Sequence, residues 1–192
     1  MNLPNKITLL RIILIPFFIF FYLASFIPYG KIIATVILIL ACITDAVDGY
    51  IARKYNMVTN LGKLMDPIAD KAFSVSALLL LVADQTILAP YGVIIAIIIL
   101  IRDFTVSGLR QIAASKNFVL AADIWGKIKS IILDIALPLF FILSYLINDL
   151  GLEMKGFVLY YAVFSYSLLV VATLLTVYSG INYLVKNRQV LK

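Results

Sequence analysis

Asp45-Ala46-Val47-Asp48-Gly49-Tyr50-Ile51-Ala52-Arg53, then eight residues, then Gly62-Lys63-Leu64-Met65-Asp66-Pro67-Ile68-Ala69-Asp70: this stretch decides how the chain is read. On a helix, Asp45, Asp48, Gly49 and Ala52 share one face, because their offsets match the helical repeat. Gly62, Asp66 and Asp70 do the same on a following helix. Four of the 10 acidic residues fall in this 26-residue stretch. The sequence around it is strongly apolar. An ionised carboxylate near a bilayer is costly unless it is paired or metal-bound, so the cluster marks a functional site.

The surrounding composition sets the fold class. The chain has 192 residues, 64% of them hydrophobic and 14% charged. Its mean hydropathy is +1.08. Soluble domains have about a quarter of their residues charged. The expectation is an all-α, polytopic membrane protein, a single domain over residues 1–192. Six transmembrane helices are predicted over residues 9–27, 32–52, 61–83, 90–113, 125–147 and 156–184, each near or above the roughly 20 residues a span needs. Met1 to Thr8 are expected to form a short amino-terminal interfacial arm. No signal-peptide cleavage pattern precedes the first span.

Lys and Arg set the expected orientation. With the amino terminus in the cytoplasm, 14 of the 16 basic residues lie on the inner side, and only Lys31 and Lys155 lie outside. Both termini, the aspartate cluster and the loop between spans four and five are then cytoplasmic, in the cell membrane. The net charge of +6 fits a membrane surface better than nucleic acid, because the basic residues are scattered between apolar spans.

Composition also excludes chemistry. There is no histidine, so Ser-His-Asp and Cys-His catalysis and histidine metal sites are ruled out. The single cysteine, Cys42, cannot form an internal disulfide and reads as a small buried hydrophobe. Acid–base work falls to Asp, Glu, Lys or Tyr. Four oxygen-only ligands that repel one another call for hard cations, Mg²⁺, Mn²⁺ or Ca²⁺. Two such ions can clamp a diphosphate and activate a hydroxyl. Gly49, Ala52 and Gly62 would let a ligand or backbone approach closely, and Arg53 can meet a phosphate. The structural alternative pairs the aspartates with Arg53, Lys63 and Lys71 and leaves the small residues to helix packing.

The composite Asp45-x2-Asp48-Gly49-x2-Ala52-Arg53-x8-Gly62-x3-Asp66-x3-Asp70 resembles the complete signature of the CDP-alcohol phosphatidyltransferase family. That resemblance implies a six-span membrane enzyme, commonly a homodimer, that moves a phosphatidyl-type group from a CDP-linked donor to an alcohol with release of CMP. It implies that Asp45, Asp48, Asp66 and Asp70 hold the metals, two Mg²⁺ or Mn²⁺ ions, and that Asp70 is also the general base. Gly49, Ala52, Arg53 and Gly62 would line the CDP site. Asn5, Thr8 and Arg11 either help to hold the CDP group or anchor the arm at the head groups; Asn5 and Thr8 go with the nucleotide and Arg11 with anchoring.

Three further stretches resemble the bacterial branch whose donor is CDP-diacylglycerol and whose acceptor is glycerol 3-phosphate. They are Asn2 to Arg11 with Ile12 to Pro16, Leu61 to Lys71, and Arg102 to Arg110 with Gly126 to Ser130. Arg102, Arg110, Lys127 and Lys129 are the expected acceptor-phosphate ligands, since such cations suit a dianion better than a neutral alcohol. Positive-inside topology explains Lys127 and Lys129 equally well when each is taken alone. Arg102 follows nine apolar residues and needs a partner; adjacent Asp103 faces another way on an ideal helix. The chain departs from the branch at Asp103, usually Glu, and at Ser130 and Leu133, usually Thr and Gln. Asp134 is an additional acid, matched by chemistry to Arg102 or Lys127. Tyr22, Tyr29, Tyr91, Tyr145, Tyr178 and Trp125 read as an aromatic belt.

Other readings remain open at this point. A same-family transferase with another acceptor, such as a cardiolipin synthase or a phosphatidylinositol phosphate synthase, differs only in the acceptor pocket. A metal-ion transporter would need acids along a through-path. A non-catalytic scaffold would not need the full aspartate set.

Overall fold

The computed structural model describes residues 3–54, 60–84, 87, 90–116, 120 and 123–188. Within these, six helices follow in order: α1 (Leu3–Leu23), α2 (Gly30–Lys54), α3 (Asn60–Ala83), α4 (Gly92–Ser115), α5 (Ile124–Ser144) and α6 (Gly156–Lys186). A π-helical turn, Tyr145–Asp149, extends α5. No strand occurs among the described residues. Four helical stretches are long and apolar enough to cross a membrane: Lys6–Leu23, Gly92–Ala114, Ile124–Asp149 and Gly156–Lys186. The chain is an all-helical, multi-pass membrane protein. Leu10, Phe20, Ile101, Val163 and Leu174 are each more than half exposed, a surface suited to lipid rather than water.

The amino terminus differs from the expected arm. From Leu3, residues of that segment are the first turns of α1. Pro4 falls in the opening turn, where its missing N–H removes no intrahelical bond. The consequence is that Thr8 stands on the same helix as Arg11, one turn before it.

α1 is the central strut, packed against both α2 and α3. Its Phe18 stacks on Phe73 of α3 at 5.3 Å and meets Phe141 of α5 edge-on at 5.4 Å. These rings join three helices in one core, each such pair adding about 1 kcal/mol beyond simple burial. α6 lies along α5 and also touches α4. Its buried face includes Ala162, Ser165, Ala172, Thr176, Ser179 and Gly180, small residues that allow close helix approach without a hydrophobic drive in lipid. Gly30 opens α2 against α1; a Cβ there would stand 2.5 Å from the Phe21 carbonyl oxygen.

The bundle has two polar ends. At one, Phe21–Ala24, Gly30, Lys31, Leu80, Asp84, Asn148 and Asp149 line a pocket of about 340 Å³. Tyr22, expected in the aromatic belt, is instead buried here and donates to Asp84 at 2.9 Å. It lies on the face of α1 turned toward Phe141 and away from lipid. Tyr29, Tyr91 and Tyr178 are exposed, as a belt requires. At the other end lie Arg11, Asp45, Asp103 and Lys129.

Candidate active site

Arg11 and Asp45 are 34 positions apart, yet the antiparallel packing of α1 on α2 brings them together. The Arg11 guanidinium donates from Nη1 to Asp45 Oδ1 at 2.6 Å. Arg11 is 2% exposed, whereas the Asp45 side chain is 45% exposed. The cation is therefore held inside the bundle while the carboxylate keeps an open side. This corrects the head-group role expected for Arg11: an arginine on the inward face of α1 is taken up by an acid, because an unpaired buried charge is costly. Thr8, one turn earlier, is fully buried. Arg11 and Asp45 line a cavity of about 30 Å³ with Cys42, Phe73, Ser74, Asp134 and Leu137. That volume suits one or two waters or a single ion.

Asp134, the extra acid of α5, thus stands at the same cavity as Asp45. The helices carrying the rest of the signature run as expected: Asp48, Gly49, Ala52 and Arg53 on α2, and Gly62, Asp66 and Asp70 on α3. The side chains of those seven residues and of Asn5 lie outside the described residues. The donor set of the signature is carboxylate throughout, with no sulfur or imidazole, and that chemistry fits a hard divalent cation.

The second half of the site is built where α4, α5 and α6 meet. Asp103 is its hub. Lys129 donates from Nζ to both Asp103 oxygens, at 2.7 and 2.8 Å, and is itself only 2% exposed. Arg102 reaches the same Oδ1 through Nη1 at 3.1 Å and gives its Nη2 to Ser179 Oγ of α6 at 3.0 Å. Adjacent side chains do meet here, contrary to the sequence expectation, because the long arginine bends back to its neighbour. Lys71, next to Asp70 on α3, approaches the Asp103 carbonyl oxygen at 3.5 Å. The cation cluster therefore adjoins the aspartate helix.

Two cations on one oxygen are close. Charges about 6 Å apart repel by roughly 3 kcal/mol at an effective dielectric near 20, and the Asp103 carboxylate offsets this. Counting Arg102, Lys129 and Asp103, the cluster keeps an excess of one positive charge, which favours an anionic ligand.

The other two expected acceptor ligands are not part of this group. Arg110 lies eight residues on, about 12 Å along the helix. It donates from Nε to the Tyr183 hydroxyl at 3.2 Å, with its guanidinium 5.6 Å from that ring. Lys127 is exposed, while Lys129, two residues on, turns inward. Sequence reasoning missed Ser179 and Gly180 altogether. The signal was a small pair, one of them a hydroxyl, Ser179-Gly180, inside an otherwise apolar predicted span.

Comparison with known proteins bears on this arrangement. The sequence matches the CDP-alcohol phosphatidyltransferase family over residues 1–178. The chain belongs to that family. It is accordingly a transferase enzyme of phospholipid biosynthesis. A Bacillus subtilis relative named CDP-diacylglycerol–glycerol-3-phosphate 3-phosphatidyltransferase is 42% identical, covering 100% of this chain and 97% of the relative. Proteins of the same name from Rickettsia bellii and Haemophilus influenzae are 34% and 36% identical, each covering 95% of this chain and 93% and 91% of the relative. The two halves of the site described above therefore sit in a phosphatidyltransferase.

Proposed function

We propose that this phosphatidyltransferase joins the phosphatidyl group of CDP-diacylglycerol to the sn-1 hydroxyl of glycerol 3-phosphate, giving phosphatidylglycerophosphate and CMP. The observation that carries the acceptor assignment is the pair Arg102 and Lys129, drawn together on Asp103 beside the aspartate-bearing helix α3. A pre-assembled cation pair suits an acceptor with a phosphate and has no use for serine or another neutral alcohol. The names of the relatives agree with this donor and acceptor.

In this reading Asp45, Asp48, Asp66 and Asp70 hold two divalent ions, Mg²⁺ or Mn²⁺. Such ions would supply positive charge against the donor's diphosphate. Asn5, Thr8, Gly49, Ala52, Arg53 and Gly62 border the CDP group. Arg102 and Lys129 grip the acceptor's phosphate, with Arg110 and Lys127 at the approach, and this orients the sn-1 hydroxyl. Asp70 takes the hydroxyl proton as the oxygen attacks the lipid-bearing phosphorus. The bond from that phosphorus to the CMP oxygen breaks, and CMP leaves. The fatty chains stay in the bilayer throughout. The bundle spans the membrane six times with this end and both termini in the cytoplasm, and works as a two-fold homodimer.

The test is CMP release by the purified, detergent-solubilised protein from CDP-diacylglycerol with Mg²⁺ or Mn²⁺. The acceptor panel holds glycerol 3-phosphate, phosphatidylglycerol, inositol phosphate and serine, with a chelator control. Metal-dependent turnover with glycerol 3-phosphate alone is expected. Turnover only with another acceptor refutes the acceptor assignment, and turnover that survives chelation refutes the metal assignment.

A further inference from the structure

We infer that Asp103 is a positioning residue for the acceptor, a carboxylate that sets the spacing of Arg102 and Lys129 so that together they read one phosphate. The inference rests on the reaction proposed above and adds residues outside the family signature: Asp103 itself, Ser179, and the two glycines that make room for Arg102.

Asp103 Oδ1 accepts from both cations, and Oδ2 accepts from Lys129 as well. Lys129 is almost wholly buried. A buried ammonium without a nearby carboxylate either sheds its proton or withdraws, and two neighbouring cations without one splay apart. Asp103 prevents both. The carboxylate itself is 28% exposed and Arg102 13%, so the pair is not sealed from the surface.

The frame around Arg102 is equally specific. A Cβ on Gly126 would lie 2.7 Å from Arg102 Nη2, and a Cβ on Gly180 would lie 2.9 Å from its Cγ. Arg102 therefore runs through a slot between the start of α5 and the far part of α6. The guanidinium tip can move off Gly126 cheaply, but Cγ is tied to the backbone, so Gly180 is the stricter of the two walls. Ser179 then fixes the second guanidinium nitrogen. α6 thereby takes part in choosing the acceptor, although it carries none of the signature aspartates.

The test compares Asp103→Asn, Asp103→Glu and Gly180→Ala with the wild-type protein in steady-state CMP release. Both substrates are titrated, and folding is followed by size-exclusion chromatography. Asp103→Asn is expected to raise KM for glycerol 3-phosphate by about tenfold or more, with KM for CDP-diacylglycerol unchanged and kcat altered much less. Asp103→Glu is expected to recover most of that loss. Gly180→Ala, which leaves every charge in place, is expected to raise the same KM by displacing Arg102. A wild-type KM in Asp103→Asn overturns the inference while leaving the reaction standing. So does an equal rise in both KM values, or no recovery with Glu, since each marks a merely structural residue. If Asp103→Asn does not fold, a wild-type KM in Gly180→Ala is sufficient to reject it. A wild-type protein that turns over only neutral acceptors overturns both the inference and the reaction on which it rests.

Discussion

Replacing Asp84 with leucine tests whether the polar knot at the end of the bundle away from Arg11 and Asp45 holds the helices together. Asp84 follows α3 and accepts from the Tyr22 hydroxyl at 2.9 Å, from Asn148 Nδ2 at 3.0 Å and from the Ser144 hydroxyl. These donors come from α1, from α5 and from its π-helical extension. Tyr22 is 7% exposed and Ser144 is fully buried, whereas Asn148 is open to solvent. In Asp84→Leu, water replaces the acceptor for Asn148. Tyr22 and Ser144 stand 3.2 Å apart and can bond to each other, but only one of them can donate. One buried hydroxyl hydrogen thus loses its carboxylate acceptor, a loss of about 2 kcal/mol. For a chain of this size that corresponds to a fall in Tm of roughly 4–8 °C. Cys42 is the single cysteine and is half-buried, so a thiol-reactive dye reports unfolding directly. Turnover well below Tm should be unchanged, because Tyr22 lies about 16 Å along α1 from Arg11. Asp84→Asn keeps an acceptor oxygen and should lose about half as much. An unchanged Tm in Asp84→Leu, or turnover lost while the protein remains folded, would refute this account.

Three further outcomes are expected. Lys129→Met removes one of the two cations on Asp103 and should raise KM for glycerol 3-phosphate by roughly 30-fold, the equivalent of about 2 kcal/mol, in the CMP-release assay. Asp45→Asn should lower turnover by about 100-fold or more and raise the Mn²⁺ concentration needed for half-maximal rate; a wild-type metal titration would contradict the ligand role. Gly30→Ala pushes a methyl group into the Phe21 carbonyl, which is backbone and cannot rotate away. It should cost about 1–3 kcal/mol of stability, read as a lower Tm with wild-type kinetics in the protein that remains folded.

The sequence by itself determined the helices, their apolar character and the family. Those properties are local or additive: hydropathy sums along a window, and the spacing of Asp45, Asp48, Asp66 and Asp70 already places them by face on α2 and α3. The side chains of the last three lie outside the described residues, so their assignment still stands on that pattern. What only the tertiary structure decided is which distant charges meet. Periodicity gives the face a residue occupies, but not the rotation of one helix against the next. Arg11 looked like a head-group anchor until the packing of α1 on α2 set it against Asp45. Arg102 and Lys129 were two of four expected acceptor cations until α4, α5 and α6 drew them onto Asp103 and left Arg110 with Tyr183. Gly180 drew no reading from the sequence, and only the packing of α6 on α4 set it beside Arg102. Burial makes an unpaired charge costly, so each buried cation is taken up by whichever acid or hydroxyl the helix packing brings within reach.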